Sequence, residues 1–164
     1  MRCVEAFRIY KSRYASSALT GEGAKKLGGR WNHEGVAVLY CSSSLALAQF
    51  ETLVHLEGTL PPGGFEYLKV EFPDTCVGKQ IRVRELEEYG IDWRAYPPHA
   101  LLREIGSEWI EFAASLVMEV PSAVSPSESN YLRNPAHSDF RKITIGTSSP
   151  VEWDSRLLKR LRID

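Results

Sequence analysis

A cation, a phenol and a carboxylate follow one another along the chain at Arg30, Tyr40 and Glu51. Arg30 comes directly after Gly28-Gly29, and glycine lets the backbone adopt positive φ and lets a ligand approach closely. A guanidinium can bind a diphosphate through parallel hydrogen bonds. A carboxylate can stabilise a sugar on which positive charge develops. Such groups on successive elements could therefore bind a dinucleotide and cleave its glycosidic bond.

Each of these residues also has a purely structural interpretation. Glu51 falls on a helical run beside Leu47 and Val54, where it could reach solvent or pair with an arginine. Tyr40 ends an apolar run and could pack in the core. Arg30 could be an exposed side chain on a surface turn. The residue pattern favours the structural interpretation for Glu51 and Tyr40, and it does not decide for Arg30.

Further polar residues lie at positions where chemistry or a turn is equally compatible with the pattern. Ser122 stands between Pro121 and Ala123, where its hydroxyl could bond a ligand or cap a turn. No G-x-S-x-G elbow surrounds it, which argues against a hydrolase nucleophile. Asn134 opens a rigid turn before Pro135. His55 follows Glu51 on the same predicted helix, but the sequence places no third ligand for a metal, so we predict no metal site.

Strands and helices that must position these residues interleave along the chain. Strands are predicted at residues 4–10, 36–41, 65–72, 116–120 and around 143–145. Helices are predicted at residues 45–57, 83–89 and 99–115, with a surface excursion at 15–29, a turn at 61–64 and a solvated basic tail from Arg156 through Arg162. Because no regular βαβ rhythm, G-x-G-x-x-G or Walker motif is present, we predict a mixed α+β domain rather than a Rossmann fold.

Composition limits the class of protein. The chain has 164 residues and a formal net charge of −1, which suits one domain and offers no global field for nucleic acid. Its three cysteines show no C-x-x-C pair, so neither a disulfide framework nor a zinc site is expected. Because no signal-like or membrane-length apolar run is present, we predict a cytoplasmic protein without membrane contact.

Taken together, the residues resemble the RES-domain family, toxins of bacterial toxin–antitoxin systems named for an arginine, a glutamate and a serine. The resemblance covers almost the whole chain, and we expect one RES domain over residues 1–164. The family's usual proline after the histidine is replaced by Ser138, and His33-Glu34 replaces a proline after the asparagine. The matching pieces are Phe7-Arg8-Ile9-Tyr10, Gly28-Gly29-Arg30-Trp31-Asn32, Val38-Leu39-Tyr40, Ala48 to Glu57, Val120-Pro121-Ser122-Ala123, Asn130-Tyr131-Leu132, Asn134-Pro135-Ala136-His137 and Asp154-Ser155-Arg156-Leu157.

The resemblance implies an ADP-ribosyltransferase-like fold whose sheets form a cleft for NAD. It implies a type II toxin that depletes NAD by hydrolysis or phosphorolysis of the nicotinamide–ribose bond, with NAD as substrate rather than cofactor. The implied partner is a helix-turn-helix antitoxin of the Xre type, and a homodimer is favoured. Alternatives are a mono-ADP-ribosyltransferase acting on protein, and a non-enzymatic module that binds a nucleotide or a partner. An RNA-cleaving toxin is disfavoured because no basic, aromatic-interleaved face is evident.

The resemblance also assigns roles to the candidate residues. Glu51 would stabilise the oxocarbenium-like ribosyl group, and Arg30 would anchor the diphosphate. Tyr40 would stack on or hydrogen-bond the nicotinamide–ribose end, and Ser122 would hydrogen-bond the ribose or the amide. Arg8 would supply a second contact to an anionic group.

Asn134 completes the predicted NAD-binding set. It is a polar side chain in the rigid turn Asn134-Pro135-Ala136-His137, one of the matching pieces. The predicted catalytic residues are therefore Glu51, Arg30, Tyr40 and Ser122, and Arg8 and Asn134 are predicted as binding residues only.

Overall fold

One mixed β-sheet organises the molecule, and the computed structural model describes residues 2–61 and 63–161 of the chain. Within these residues the strand order is β4-β5-β6-β2-β1-β3-β7, and β8 pairs with β3. The pair β4–β5 is parallel, and the other pairs are antiparallel. The strands are β1 (Cys3–Lys11), β2 (Leu39–Ser42), β3 (Phe65–Pro73), β4 (Val77–Gln80), β5 (Val117–Pro121), β6 (Ser129–Arg133), β7 (Thr144–Ile145) and β8 (Ser149–Pro150).

Five α-helices within the described residues flank the sheet. A short 3-10 turn at Ser12–Ser17 and α1 order most of the segment that the sequence predicts to be a surface excursion. Two further 3-10 turns lie at Asp74–Cys76 and Ser138–Lys142. No helix in the described part of the chain has the length and hydropathy needed to cross a membrane. The helices are α1 (Glu22–Leu27), α2 (Leu45–Leu53), α3 (Val83–Glu88), α4 (Ala100–Glu111) and α5 (Ser155–Leu161).

The predicted strands at 4–10 and 65–72 form the longest ladder of the sheet. β1 and β3 pair from Cys3↔Pro73 through Lys11↔Phe65 without interruption. Alternate residues of β3 are buried, namely Leu68, Val70 and Phe72, as the period of a half-covered strand requires. By contrast, β1 and β2 share one register pair, Phe7↔Ser42, so the ladder that joins these two strands is short.

Helix α2 begins as predicted and ends early. The Ser44 hydroxyl accepts a hydrogen bond from the Leu47 amide at 3.1 Å and caps the first turn. The helix ends at Leu53 rather than at Glu57, because the amides of His55 and Leu56 turn back to carbonyls three residues earlier. The helix packs against β1 and β2.

Several other boundaries differ from those predicted. The strand predicted at 36–41 begins at Leu39, because the carbonyl of Val36 accepts from the Asn32 side chain at 3.0 Å instead of joining the sheet. Helix α4 ends at Glu111, and Ala113 just beyond it has a φ of 45°, which stops a helix. Strands β4, β6 and β8 were not predicted. Of the predicted turn and tail, Pro62 and Arg162 lie outside the described residues.

Apolar side chains pack on both faces of the sheet. One cluster joins α3, α4 and the turn around Trp31 to β5 and β6; its buried members are Trp31, Val38, Leu86, Trp93, Leu102, Trp109, Met118, Val120 and Leu132. A second cluster is made by Ala6, Cys41, Val70, Phe72, Cys76, Leu116, Val117 and Ile143. The first cluster fixes the turn that carries Arg30 against the sheet, and so links the core directly to the candidate residues.

Candidate active site

A carboxylate network forms where α2 crosses the ends of β5 and β6. The Oε1 atom of Glu51 accepts a hydrogen bond from the Ser122 hydroxyl at 2.7 Å and another from the Asn130 Nδ2 at 2.6 Å. Glu51 is half-buried, and Ser122 is fully buried. The loop after β5 and strand β6 therefore each supply a donor to one oxygen of the α2 carboxylate, so these neighbours define the orientation of the Glu51 side chain.

The Ser122 hydroxyl has its direction set by the loop that follows β5. Its oxygen accepts from the amides of Val124 at 3.1 Å and Ser125 at 3.0 Å. A hydroxyl has one proton, and with its lone pairs taken up by these amides that proton points to Glu51. The local turn between prolines is thus what aims Ser122. The sequence predicted a ligand bond or a turn cap for this residue, and the structure shows the turn cap together with a bond to Glu51.

Asn130 is a part of the site that sequence reasoning assigned no role. It lies on β6, which the periodicity did not predict, directly opposite Ser42 of β2. The Ser42 hydroxyl donates to the Asn130 Oδ1 at 2.8 Å, so the amide nitrogen faces Glu51. The signal that could have found it is the alternation of Asn130 with Leu132, which puts both on one face of a strand.

Arg30 approaches the same region from the glycine turn. Its Nη1 donates to the carbonyl oxygens of Trp93 at 2.7 Å and Ala95 at 3.1 Å. Burial lowers the pKa of Arg30 from its ordinary value, and the negative charge of Glu51 acts in the opposite direction. The Nη1 atom of Arg30 is therefore hydrogen-bonded to main-chain oxygens, and the negative charge of Glu51 favours the charged form of the guanidinium.

Tyr40 holds the glycine turn in place through its hydroxyl. The hydroxyl donates to the Asn32 Oδ1 at 2.7 Å and accepts from the Trp31 amide at 3.1 Å. Burial raises the pKa of Tyr40 above its ordinary value, with Arg30 opposing. A Cβ on Gly29 would lie 2.7 Å from the Tyr40 hydroxyl, so the glycine is needed for this close approach. Because the hydroxyl is hydrogen-bonded to Asn32 and Trp31, the ring is the part of Tyr40 that could contact a ligand.

Two predicted binding residues are not brought to the carboxylate. Arg8 lies where β1 and β2 meet, and its guanidinium donates to the carbonyls of Ala18 and Tyr40. Burial lowers the pKa of Arg8. Asn134 is buried, and its amide group donates to the Ile110 carbonyl at 3.3 Å and accepts from the Ala136 amide at 3.0 Å. In this geometry both side chains support the fold around the site.

The loop at residues 91–98 bridges the elements that carry the candidate residues. Its Trp93 and Ala95 carbonyls hold Arg30, as described above. Arg94 donates from Nε to the Ala123 carbonyl at 2.9 Å, next to Ser122. The ring of the exposed Tyr96 lies 6.4 Å from that of His55 on the segment after α2. The 91–98 loop therefore contacts the glycine turn, the loop after β5 and the end of α2.

A cavity of about 360 Å³ lies beside the glycine turn, lined by Leu27, Gly28, Asn32, His33, Glu34 and Arg103. Glu51, Ser122 and Asn130 are not among its lining residues, so the carboxylate network is separate from it. Among residues 2–61 and 63–161, no three His, Cys, Asp or Glu side chains are grouped as a metal site requires.

Comparisons with known proteins agree with the resemblance. The RES domain family model matches residues 5–154. A Toxin Res of Yersinia enterocolitica is 40% identical over 135 residues, covering 82% of this chain and 86% of that protein. A Toxin Res of Photorhabdus laumondii is 37% identical over 155 residues, covering 93% and 96%. A Prs ADP-ribosylating toxin of a Sphingobium strain is 36% identical over 148 residues, covering 90% and 91%.

The fold is also seen in a solved structure, the toxin–antitoxin complex MbcT–MbcA of M. tuberculosis. The likeness has a TM-score of 0.70 at 15% identity and covers 98% of this chain and 90% of that one. The predicted α+β, ADP-ribosyltransferase-like architecture is thereby confirmed. The family model and these relatives place the chain among proteins named as toxins. The chain belongs to the RES-domain family.

Proposed function

We propose that this toxin is an enzyme that depletes NAD by cleaving its nicotinamide–ribose bond. The observation that carries the proposal is the half-buried Glu51 carboxylate, held by Ser122 and Asn130 within the electrostatic reach of Arg30. A carboxylate and a guanidinium so arranged suit a substrate with a ribosyl centre at one end and a diphosphate next to it.

The chemistry asks little of the protein beyond charge and position. Nicotinamide in NAD is already cationic, so the electron pair of the breaking C1′–N bond neutralises the leaving group and no general acid is needed. The ribosyl group that remains has oxocarbenium character, and Glu51 would stabilise it more strongly than the ground state. In hydrolysis an oxygen of water forms the new bond to C1′ and gives up a proton to solvent, whereas in phosphorolysis an ionised oxygen of phosphate forms that bond and has no proton to lose.

The other residues would bind and orient the dinucleotide. Arg30 would contact the diphosphate through the guanidinium nitrogens that the 91–98 loop does not hold. The Tyr40 ring would pack against the nicotinamide–ribose end. Ser122 would act mainly through Glu51, because its proton is directed there. Arg8 and Asn134 would shape the pocket from outside it, and a contact of either with NAD would need these side chains to leave their present partners.

Partners follow by likeness to relatives. The solved structure with this fold is a complex of a toxin with its antitoxin, which supports an antitoxin for this chain too. An Xre-type helix-turn-helix antitoxin and a homodimer remain our expectation from the resemblance. We expect a cytoplasmic location, because the protein would meet both NAD and its antitoxin there.

A second candidate is a mono-ADP-ribosyltransferase that modifies protein. It is supported by the relative named an ADP-ribosylating toxin, which is 36% identical. The same bond breaks, and a protein side chain replaces water or phosphate as acceptor. A non-enzymatic binding module is the alternative of another class.

The deciding experiment is NAD consumption by the purified protein, with and without phosphate, and products resolved by chromatography. We expect NAD loss with release of nicotinamide; phosphate dependence would identify a phosphorylase. Labelled NAD incubated with cell lysate distinguishes the protein-modifying alternative, which predicts a labelled protein band. Absence of both NAD loss and labelling would contradict the enzyme and favour the binding module.

A further inference from the structure

We propose that Asn130 is the residue that positions the catalytic carboxylate, and that Ser42 supports the orientation of its amide. The inference rests on the proposed function, since it concerns the efficiency of the same reaction. It assigns a functional role to β2 and β6 side chains that do not touch substrate, and it treats the pair as a positioning device rather than as catalytic residues.

One oxygen of the Glu51 carboxylate accepts two hydrogen bonds. Both hydrogen bonds to Glu51, from Ser122 and Asn130, reach Oε1, at 2.7 and 2.6 Å. Neither uses Oε2. Two donors on one oxygen fix the plane of the carboxylate, so in the proposed reaction the other oxygen is the one that would face the ribosyl group.

The Asn130 amide must present its nitrogen to Glu51. An asparagine can present either oxygen or nitrogen, and a flipped Asn130 would place an oxygen against the oxygen of Glu51. The Glu51 carboxylate offers only acceptors and therefore requires the amide nitrogen, and the Ser42 hydroxyl supports that orientation by donating its proton to the Asn130 Oδ1 at 2.8 Å. Ser42 is 4% exposed, so water does not compete freely for that proton. Ser42, Asn130 and Glu51 therefore form a chain of hydrogen bonds with one direction.

The pairing of β2 with β6 places Ser42 beside Asn130. Ser42 and Asn130 are directly opposite each other in the β2–β6 ladder, and Asn130 also pairs with Val120 of β5. Cross-strand partners on one face lie close enough for a side-chain bond without help from a loop. The position of the carboxylate on helix α2 is thus tied to the sheet through the Asn130 side chain.

The test uses steady-state NAD cleavage by full-length Asn130→Asp, which keeps the shape but puts a carboxylate beside that of Glu51. We expect kcat to fall by about 10- to 100-fold with KM changed by no more than about twofold, as for a misplaced catalytic group. Ser129→Ala is the matched control: its hydroxyl donates to Glu119 at 2.7 Å, outside the network, and we expect wild-type rates.

A second pair of variants keeps the proposal testable if Asn130→Asp fails to fold. Ser42→Ala removes the hydroxyl that holds the amide oxygen of Asn130, and Ser42→Thr restores a hydroxyl there; we expect lower kcat in the first and recovery in the second. Wild-type rates in Asn130→Asp, or equal rates in Ser42→Ala and Ser42→Thr, would overturn the positioning role. Lack of NAD cleavage by the wild-type protein would instead overturn the proposed function, so the two failures are distinguishable.

Discussion

Glu51 is the residue on which the proposed chemistry depends, and its charge is the property to remove first. In Glu51→Gln we expect NAD cleavage to fall by about 100- to 1,000-fold, the usual cost of losing a group that stabilises transition-state charge. The fold should survive, because the amide can still accept from Ser122 and Asn130. The measurement is NAD turnover beside a thermal melt.

Glu57→Gln serves as the control for that experiment, because Glu57 is exposed just beyond the same helix. It removes the same charge at a nearby position and should cleave NAD at the wild-type rate. An active, folded Glu51→Gln would remove Glu51 from the mechanism.

Tyr40 has a pKa raised by burial, so its neutral form is the one that the fold stabilises. A raised folded-state pKa gives stability that is complete below the unfolded pKa of about 10 and is lost as pH rises through the folded value. In Tyr40→Phe we expect a smaller fall of the free energy of unfolding above about pH 10, and a loss of about 1–3 kcal/mol at neutral pH from the unpaired Asn32 and Trp31 groups.

Chemical denaturation of both proteins at neutral and alkaline pH checks this expectation. Equal stability of Tyr40→Phe and wild type at neutral pH would show that the hydroxyl does not hold the glycine turn. A pH slope that the substitution leaves unchanged would show that other groups carry the alkaline loss.

The site could be predicted from the sequence only as far as residue types go. Arg30, Tyr40 and Glu51 lie near enough for the charge of Glu51 to act on the pKa of Arg30 and that of Arg30 on the pKa of Tyr40, and their joint role at an NAD site stays a prediction. The contacts of Arg30 with the 91–98 loop are to main-chain carbonyls, which every residue supplies, so no side-chain pattern could indicate them. The role of Asn130 depends on its strand partner, and strand pairing is not visible in local periodicity.

At the scale of elements, α4 is pressed against the glycine turn. Gly106 in α4 lies so close that a Cβ there would be 1.8 Å from the Trp31 carbonyl oxygen. In Gly106→Ala we expect a loss of about 3 kcal/mol, because backbone must shift to relieve the clash. Urea denaturation of the variant and the wild type measures the difference.

Gly23 in α1 provides the matched comparison, since a Cβ added there meets no heavy atom within 4 Å. Gly23→Ala should raise stability by up to about 1 kcal/mol, the ordinary helix preference for alanine. Gain in both variants would mean that α4 can move away from the turn at no cost.

Elements with a strong period were predicted well, and those with weak local signals were not. The ladder of β1 with β3 and the start of α2 follow from alternation and from a serine cap. Strand β6 contains Asn130 and Arg133 among its five residues, and it is a strand because β2 and β5 pair with it on either side. Tertiary pairing of this kind overrides composition.

At the scale of the whole molecule, the interior contains a guanidinium that is expensive to bury. Arg133 is 0% exposed, and its Nη1 reaches the Cys41 sulfur at 3.8 Å. Its Nε and Nη2 have no hydrogen-bond partner within residues 2–61 and 63–161. The charge also contributes to lowering the pKa of Arg8, after the larger effect of burial. The fold therefore maintains buried positive charge at a cost in stability.

Arg133→Met should keep the volume and remove that cost. We expect the free energy of unfolding to stay unchanged or rise, by as much as about 4 kcal/mol, as when buried ions are replaced by apolar side chains. Arg133→Lys keeps the charge on a more strongly hydrated group and should be less stable than wild type. Denaturant titration ranks the three proteins, and a methionine variant below the lysine variant would contradict the expectation.

The grip of the 91–98 loop on Arg30 has an evolutionary consequence. Because the acceptors are peptide oxygens, a change in the side chain at residue 95 would leave the hydrogen bonds to Arg30 intact. The insertion or deletion of one residue in the 91–98 loop would instead move these oxygens away from the guanidinium. The segment is therefore free to diversify its outward face, including the exposed Tyr96, under pressure from whatever it meets outside, provided that its length is kept.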